Sequence, residues 1–219
     1  MNTYKHIIDN YKIDVGNQYI VEIPDMDRND LAVLFKELNF NLGVEIGVDR
    51  GEYSEIMCKA NPDLHLFGVD PYVLTAYEPV INPQQAGIHV NQKGFEGNYE
   101  QATARLKPYP NYRLVRSYSM DALKLFEDNS LDFVYIDANH DFLNFIQDLH
   151  FWLKKVKPGG IMAGHDYANF SYRKHNHVKR ALDAYARCYR MIPLFIIGAD
   201  AYEEGTKRDK FRSWMWIKQ

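Results

Sequence analysis

Apolar positions along the chain follow two rhythms. Short apolar runs rich in β-branched and aromatic residues alternate with longer stretches in which apolar residues recur every three or four positions, which predicts strands alternating with amphipathic helices. Leu31, Leu34, Phe35 and Leu38 set a helix over Asp30–Leu38, and the run Leu42–Val48 follows as a strand buried on both faces. Glu52–Ala60 reads as a helix that Asn61-Pro62 ends, because proline disfavours helical backbone in the residue before it. Leu64–Val69 is a second strand, Glu96–Leu106 a helix, Tyr112–Tyr118 a third strand and Asp121–Glu127 a short helix. Leu131–Ala138 is then a strand, and Asp141–Val156 a helix with Phe142, Phe145, Ile146, Leu149, Leu153 and Val156 in one stripe. Lys157-Pro158-Gly159-Gly160 stops that helix and turns into the strand Ile161–Gly164. His177–Tyr189 is a helix with Val178, Ala181, Leu182 and Tyr185 inward, and Leu194–Ala199 and Ser213–Lys218 form a closing hairpin. Strand and helix in alternation predict an α/β, doubly wound sheet. Residues 1–24 show no clear period, so residues 1–29 stand apart as an N-terminal extension before a domain over 30–219, with 73–111 as an insertion of the kind that makes a lid or substrate wall.

Chemistry enters at the strand ends. In Asn41–Ser54 the strand ends in Glu45 and Gly47, and Gly47 and Gly51 bracket Val48-Asp49-Arg50 before a helix opens with its N–H groups unpaired, a cradle for a small molecule. A dinucleotide site calls for G-x-G-x-x-G with a pyrophosphate on the helix N-terminus, whereas the spacing here is G-x-x-x-G and Glu52 stands where a pyrophosphate would be repelled. A cationic ligand without phosphate suits it better, and S-adenosylmethionine is such a ligand; glycines placed for packing alone are the bland alternative. Asp70, at the tip of the second strand, offers acceptors for ribose hydroxyls, and Ser119, after the third, offers a hydroxyl to an adenine edge or else caps a helix. Strand, helix and strand over 131–164 make a right-handed crossover that delivers Asp137 and His165-Asp166 to the same carboxyl edge.

Composition narrows the classes. Of 219 residues 46% are hydrophobic, enough for a sizeable core in one domain, and a net charge of −3 with dispersed charges argues against a nucleic-acid partner. Two cysteines, Cys58 and Cys188, are too few for a disulfide framework and read as buried free thiols. With no leader-like start and no apolar run long enough for a membrane span, the expectation is a soluble cytoplasmic protein with no membrane partner. An aromatic content of 14% leaves room for a homo-oligomeric interface.

Taken jointly and in order, GVEIGVDRGEYS, GVDPY, SYSMDAL, FVYIDANHDFLNFIQDLHFWLKKVKPGGIMAGHDY, HVKRALDAY and SWMWIK resemble class I S-adenosylmethionine-dependent methyltransferases, and among them the metal-dependent O-methyltransferases of the macrocin O-methyltransferase type. The resemblance covers about residues 30–219. It implies a Rossmann-like doubly wound seven-stranded sheet with one antiparallel strand, which the C-terminal hairpin supplies. It also implies cofactor contacts at Glu45, Gly47, Asp49, Gly51, Asp70, Ser119 and Asp137, a divalent metal (Mg²⁺ or Mn²⁺) on Asp137, His165 and Asp166, and catalysis by His140 with Asp137. Asp49 stands where many members carry a glycine. An imidazole at 165 suits a transition metal better than magnesium, which prefers oxygen ligands. The implied substrate is a small hydroxylated molecule, a sugar or a phenol. The alternatives are an NAD-linked oxidoreductase on a similar sheet and a non-catalytic protein that binds an adenosyl ligand.

Overall fold

The computed structural model describes residues 2–74, 91–170, 176–199 and 204–219. Helix α1 (Thr3–Tyr11) and strand β1 (Ile20–Ile23) precede α2 (Arg28–Glu37), β2 (Leu42–Ile46), α3 (Glu52–Ala60) and β3 (His65–Val69). There follow α4 (Gln92–Leu106), β4 (Tyr112–Val115), α5 (Ser119–Ala122) with a 3-10 turn over Leu123–Leu125, and β5 (Leu131–Ile136). The chain continues through α6 (Phe142–Trp152), β6 (Val156–Gly164), α7 (Val178–Tyr189), β7 (Leu194–Ile197) and β8 (Ser213–Ile217).

The sheet order is β1-β7-β8-β6-β5-β2-β3-β4, and β8 runs antiparallel to both of its neighbours while the other pairs are parallel. The Rossmann-like α/β class and the antiparallel strand of the closing hairpin are thus present. Among the described residues the sheet has eight strands where seven were expected. The additional strand is β1, whose alternation over four residues is too short to read as a period, and which pairs Ile20 with Leu194 through Ile23 with Ile197 at the edge of the sheet. The segment set apart as an extension therefore supplies a strand of the sheet.

Two apolar layers cover the sheet. On one face Phe145, Leu149 and Trp152 of α6 and Val178, Ala181, Leu182 and Tyr185 of α7 pack on Val44, Ile46, Val134 and Ile136. On the other, Leu31, Leu34 and Phe35 of α2 and Tyr53 and Met57 of α3 pack on Leu66, Phe133, Tyr135 and Ile161. Asp27 caps α2 by accepting from the N–H of Asn29 and Asp30, while the Asp30 side chain accepts from the Asp27 N–H, a reciprocal cap.

Helix α6 ends at Trp152, four residues before the expected end, so Val156 belongs to β6 and not to the helix stripe. Phe142, at the head of that stripe, is exposed. Lys157–Gly160 do not precede β6 but lie within it: Leu131 pairs with Val156 and Phe133 with Ile161, so the intervening residues form an irregularity in the ladder. Gly160 is required there, because a Cβ would lie 2.6 Å from the carbonyl oxygen of Asp132. Cys58 is buried as expected, whereas Cys188 on α7 is exposed. Among the described residues no helix is long and apolar enough to cross a membrane.

Candidate active site

The register of the three central strands creates the site. Ile46 pairs with Ile136, and Ile136 with Gly164. The ladder continues one step beyond the strands, with Gly47 N–H on Val69 O (2.9 Å), Asp137 N–H on Ile46 O (2.8 Å) and His165 N–H on Ile136 O (3.0 Å). Gly47, Asp137 and His165 are consequently level along one rim, at the carboxyl ends of parallel strands where open α/β sheets bind ligands.

At Gly47 the backbone turns with φ 89°, and a Cβ would lie 2.1 Å from Asp137 O, so both the conformation and the closeness of β5 demand glycine. Asp49 also adopts a left-handed conformation (φ 48°), which aspartate tolerates better than most residues. Its carboxylate is exposed and accepts from Asn98 Nδ2 at 2.6 Å. Gly51 is the left-handed N-cap of α3 and packs against Leu106 and Ala102 of α4. Asp70 fixes this turn: one oxygen accepts from the Val48 and Asp49 N–H groups (3.0 and 3.2 Å), the other from the Tyr72 N–H (2.8 Å). Burial raises the Asp70 carboxyl above its ordinary range, against the pull of those three hydrogen bonds.

Beside Gly47 a cavity of about 100 Å³ is lined by Ile46, Val69, Pro71, the 118–120 turn, Ala138 and Asn139, and one face of α6. Ser119 opens onto it, although not as a helix cap: its Oγ donates to Asp148, and Trp152 Nε1 donates to that same Oγ at 2.8 Å. Glu45 is placed elsewhere. Neighbouring side chains on a strand point to opposite faces, so while Ile46 lines the cavity Glu45 lies on the α3 side, where Ser54 Oγ donates to it. There burial pushes its carboxyl up to about 8 despite the Ser54 hydrogen bond.

On the other side of the β5 tip lies a cluster of acids and imidazoles. Asp137, His140 and Asp166 each present a donor atom, and these atoms all lie within 4.8 Å of one another. His140 Nε2 is 2.8 Å from Asp166 Oδ2 and 3.7 Å from Asp137 Oδ1. His165 sits behind this trio, its Nδ1 3.8 Å from Asp137 and 3.7 Å from Asp166 and its Nε2 3.7 Å from Asp209. Burial works against a charge on either imidazole, yet the facing carboxylates prevail and hold both at about 10. The same pairings hold Asp166 below the usual carboxylate range in spite of its burial. Asp166 takes a left-handed turn (φ 63°) directly after β6. Two carboxylates and one imidazole converging on a point are a donor set that fits a divalent ion, with the nitrogen favouring Mn²⁺ over Mg²⁺. Geometry gives that third place to His140, expected as a base, and sets His165, expected as a ligand, one layer further in.

Of the expected residues, then, the structure gathers Gly47 and Ser119 at the cavity and Asp137, His140 and Asp166 at the cluster. Asp70, Gly51 and Asp49 build the turn between β2 and α3. Sequence reasoning missed Asp148, Asn144 and Gln147 on the cavity wall. Its signal was present, since Asp148 interrupts the apolar stripe of α6 between Phe145 and Trp152. It also missed Arg28, whose guanidinium lies 3.9 Å from Asp137 and 5.4 Å above the ring of Tyr53; the aperiodic residues before it gave no signal.

Residues 44–167, more than half of the chain, match the model of a family described as a methyltransferase domain. The chain belongs to that family. It is therefore a methyltransferase, which removes the oxidoreductase alternative. No curated protein matches the sequence significantly. Among solved structures, an O-methyltransferase from Bacillus cereus in complex with S-adenosylhomocysteine aligns with a TM-score of 0.57 at 13% identity, over 100% of this methyltransferase and 91% of the other. The O-methyltransferase TomG from Streptomyces achromogenes, involved in tomaymycin synthesis and bound to S-adenosylmethionine, aligns with a TM-score of 0.54 at 14% identity, over 88% and 79%. A Staphylococcus aureus protein described as a candidate caffeoyl-CoA O-methyltransferase aligns with a TM-score of 0.59 at 14% identity, over 98% and 90%. At such identities the likeness is one of fold.

Proposed function

We propose that this methyltransferase moves the methyl group of S-adenosylmethionine to a hydroxyl oxygen of a small molecule, and that a divalent metal on Asp137, His140 and Asp166 assists it. The observation that carries the reading is the β5 tip, Asp137-Ala138-Asn139-His140, which forms a wall of the cavity with its middle residues and the metal-type cluster with its outer ones. A methyl donor and an acceptor hydroxyl have to meet in line, and one four-residue loop separates the two places. That the solved O-methyltransferases sharing the fold bind S-adenosylmethionine or S-adenosylhomocysteine supports the cofactor.

The chain's own part is to bind and to exclude water. Gly47 lets the β5 tip close against the β2 turn at the cavity, Asp70 holds that turn, and the α6 face closes the cavity. Without an ion, the facing Asp137 and Asp166 carboxylates raise the His140 imidazole to about 10, and ligation of a divalent ion would release that proton. A divalent cation held by the carboxylates would supply Lewis acidity that lowers the pKa of a bound hydroxyl. Arg28, beside Asp137 and over Tyr53, adds a fixed positive charge at the rim on the side of the N-terminal segment.

The test is methyl transfer from radiolabelled S-adenosylmethionine to a panel of catechols, phenols and glycosides, with Mg²⁺, Mn²⁺ or EDTA. Label appearing on oxygen, dependent on metal, is the expected result. Transfer at full rate in EDTA removes the metal from the proposal, and label on nitrogen or carbon removes the hydroxyl acceptor.

A further inference from the structure

Resting on the reading that the cavity takes an S-adenosyl ligand, we propose that Asp148 is its base-recognising group, accepting the N–H of the adenine 6-amino group, and that Ser119 acts by orienting Asp148 rather than by touching the base.

The hydrogen-bond directions on the cavity wall lead there. An indole N–H only donates, so Trp152 Nε1 necessarily uses a lone pair of Ser119 Oγ. The serine's single proton is given to Asp148 Oδ1. With its proton committed, Ser119 has nothing to donate to a ring nitrogen. What the pair presents to the cavity is the second oxygen of Asp148. Asp148 is the one charged residue among the described residues that line the cavity, and it is only 5% exposed.

Such a group is out of place in an apolar helix stripe unless something calls for it. Asp148 lies in line with Phe145 and Trp152 on the buried face of α6, against the core. Burying a carboxyl with one hydrogen-bond donor is costly. A ligand N–H arriving opposite the second oxygen compensates that cost when the ligand is bound. A base seated beside Asp148 leaves the sugar and the amino-acid part to extend along the rim past Gly47. Burial brings the Asp148 carboxyl to about 7. In the ionised form Oδ1 accepts from Ser119 and the second oxygen is left to accept the amino N–H.

The experiment is isothermal titration of the full chain with S-adenosylhomocysteine and S-inosylhomocysteine, in which an oxo group replaces the 6-amino group. A site built around one polar contact rejects the analogue that lacks the partner, so the wild type is expected to favour the adenosyl ligand by about tenfold or more. In Asp148→Asn the serine proton holds the amide oxygen and turns the NH₂ toward the base. A donor then faces the adenine amino group, so adenosyl affinity falls about tenfold or more and the preference shrinks or reverses toward the inosyl ligand. A purely structural role for Asp148 would weaken both ligands alike. Should the variant fail to fold, wild-type binding of the N6-methyl and N6,N6-dimethyl forms of S-adenosylhomocysteine decides: a sharp loss on the second methyl, which removes the last N–H, is expected. Equal affinity for adenosyl, inosyl and dimethyl ligands overturns the assignment of Asp148 and leaves the cofactor intact. Failure of the wild type to bind S-adenosylhomocysteine overturns both.

Discussion

Replacing Glu45 by glutamine tests the structural account of this acid. Glu45 is 2% exposed, lies on the α3 face of β2 and takes a hydrogen bond from Ser54. Burial raises its carboxyl from 4.5 to about 8. A carboxyl whose pKa is higher in the folded than in the unfolded chain keeps its proton on folding, so its contribution to stability is complete below about pH 4.5 and is lost as pH rises toward 8. Over that interval the folded chain binds one more proton than the unfolded chain, which gives a slope of about −1.4 kcal/mol per pH unit and an integrated loss on the order of 5 kcal/mol. Glutamine has nearly the same shape, can accept from Ser54 through its amide oxygen, and does not titrate. Urea unfolding of wild type and Glu45→Gln at pH 5.5, 6.5 and 7.5 should therefore show the stability of wild type relative to the variant falling by about 1.4 kcal/mol at each step. With an m-value of about 2–3 kcal/mol/M, that is a relative midpoint shift of roughly 0.5–0.7 M urea per pH unit. All other groups titrate in both proteins and cancel. Parallel pH profiles, or a difference that grows in favour of wild type as pH rises, would refute the burial argument.

Three further outcomes follow from the same geometry. Gly47→Ala puts a methyl group against Asp137 O in a left-handed conformation; it should cost at least ~3 kcal/mol by urea unfolding and weaken S-adenosylhomocysteine binding in calorimetry, and wild-type values for both would mean that the β2 turn is not held as described. Asp137→Ala should lower metal-dependent turnover a hundredfold or more in the radiolabel assay on the order expected for a lost metal ligand, with S-adenosylhomocysteine affinity within a few-fold of wild type; full turnover would exclude a metal on that carboxylate. Asp132, buried at the start of β5, accepts from the N–H groups of Asn41 and Leu42 (2.7 and 2.8 Å) and pairs with Lys157, so Asp132→Ala should destabilise the fold by about 2–4 kcal/mol without changing ligand affinity, and a midpoint equal to that of wild type would show those amides finding other partners.

The parts of the molecule legible in its sequence are those governed by period and by strand ends. The strand and crossover at 131–164 could be read because a doubly buried strand is a continuous apolar run and its following helix carries a clear stripe, and this was enough to bring Asp137 and Asp166 to one edge. Which imidazole faces them was not legible: His140 and His165 both flank the aspartates in sequence, and only the left-handed turn at Asp166 and the loop after β5 decide that His140 lies closer. Glu45 shows the opposite case. Its place in the motif pointed to the ligand, but strand alternation turns it to the far face, and the alternation of Val44, Glu45 and Ile46 already implied that. Strand β1 escaped because four residues at a sheet edge are too few to establish a rhythm. The expectations for residues 75–90 and 171–175 lie outside the described residues.

The pairing of β1 with β7 has a consequence for how the molecule assembles. Strand β1 joins the sheet only through β7, a strand far later in the chain, since Ile20 pairs with Leu194. Until β7 and β8 have left the ribosome, β1 has no strand to pair with, and the edge of β6 that β8 later covers stays open. Contacts of such long reach slow folding and expose unpaired strand edges meanwhile. Substitutions in β7 or β8 should therefore harm the yield of folded protein more than equally buried ones in β3 or β4.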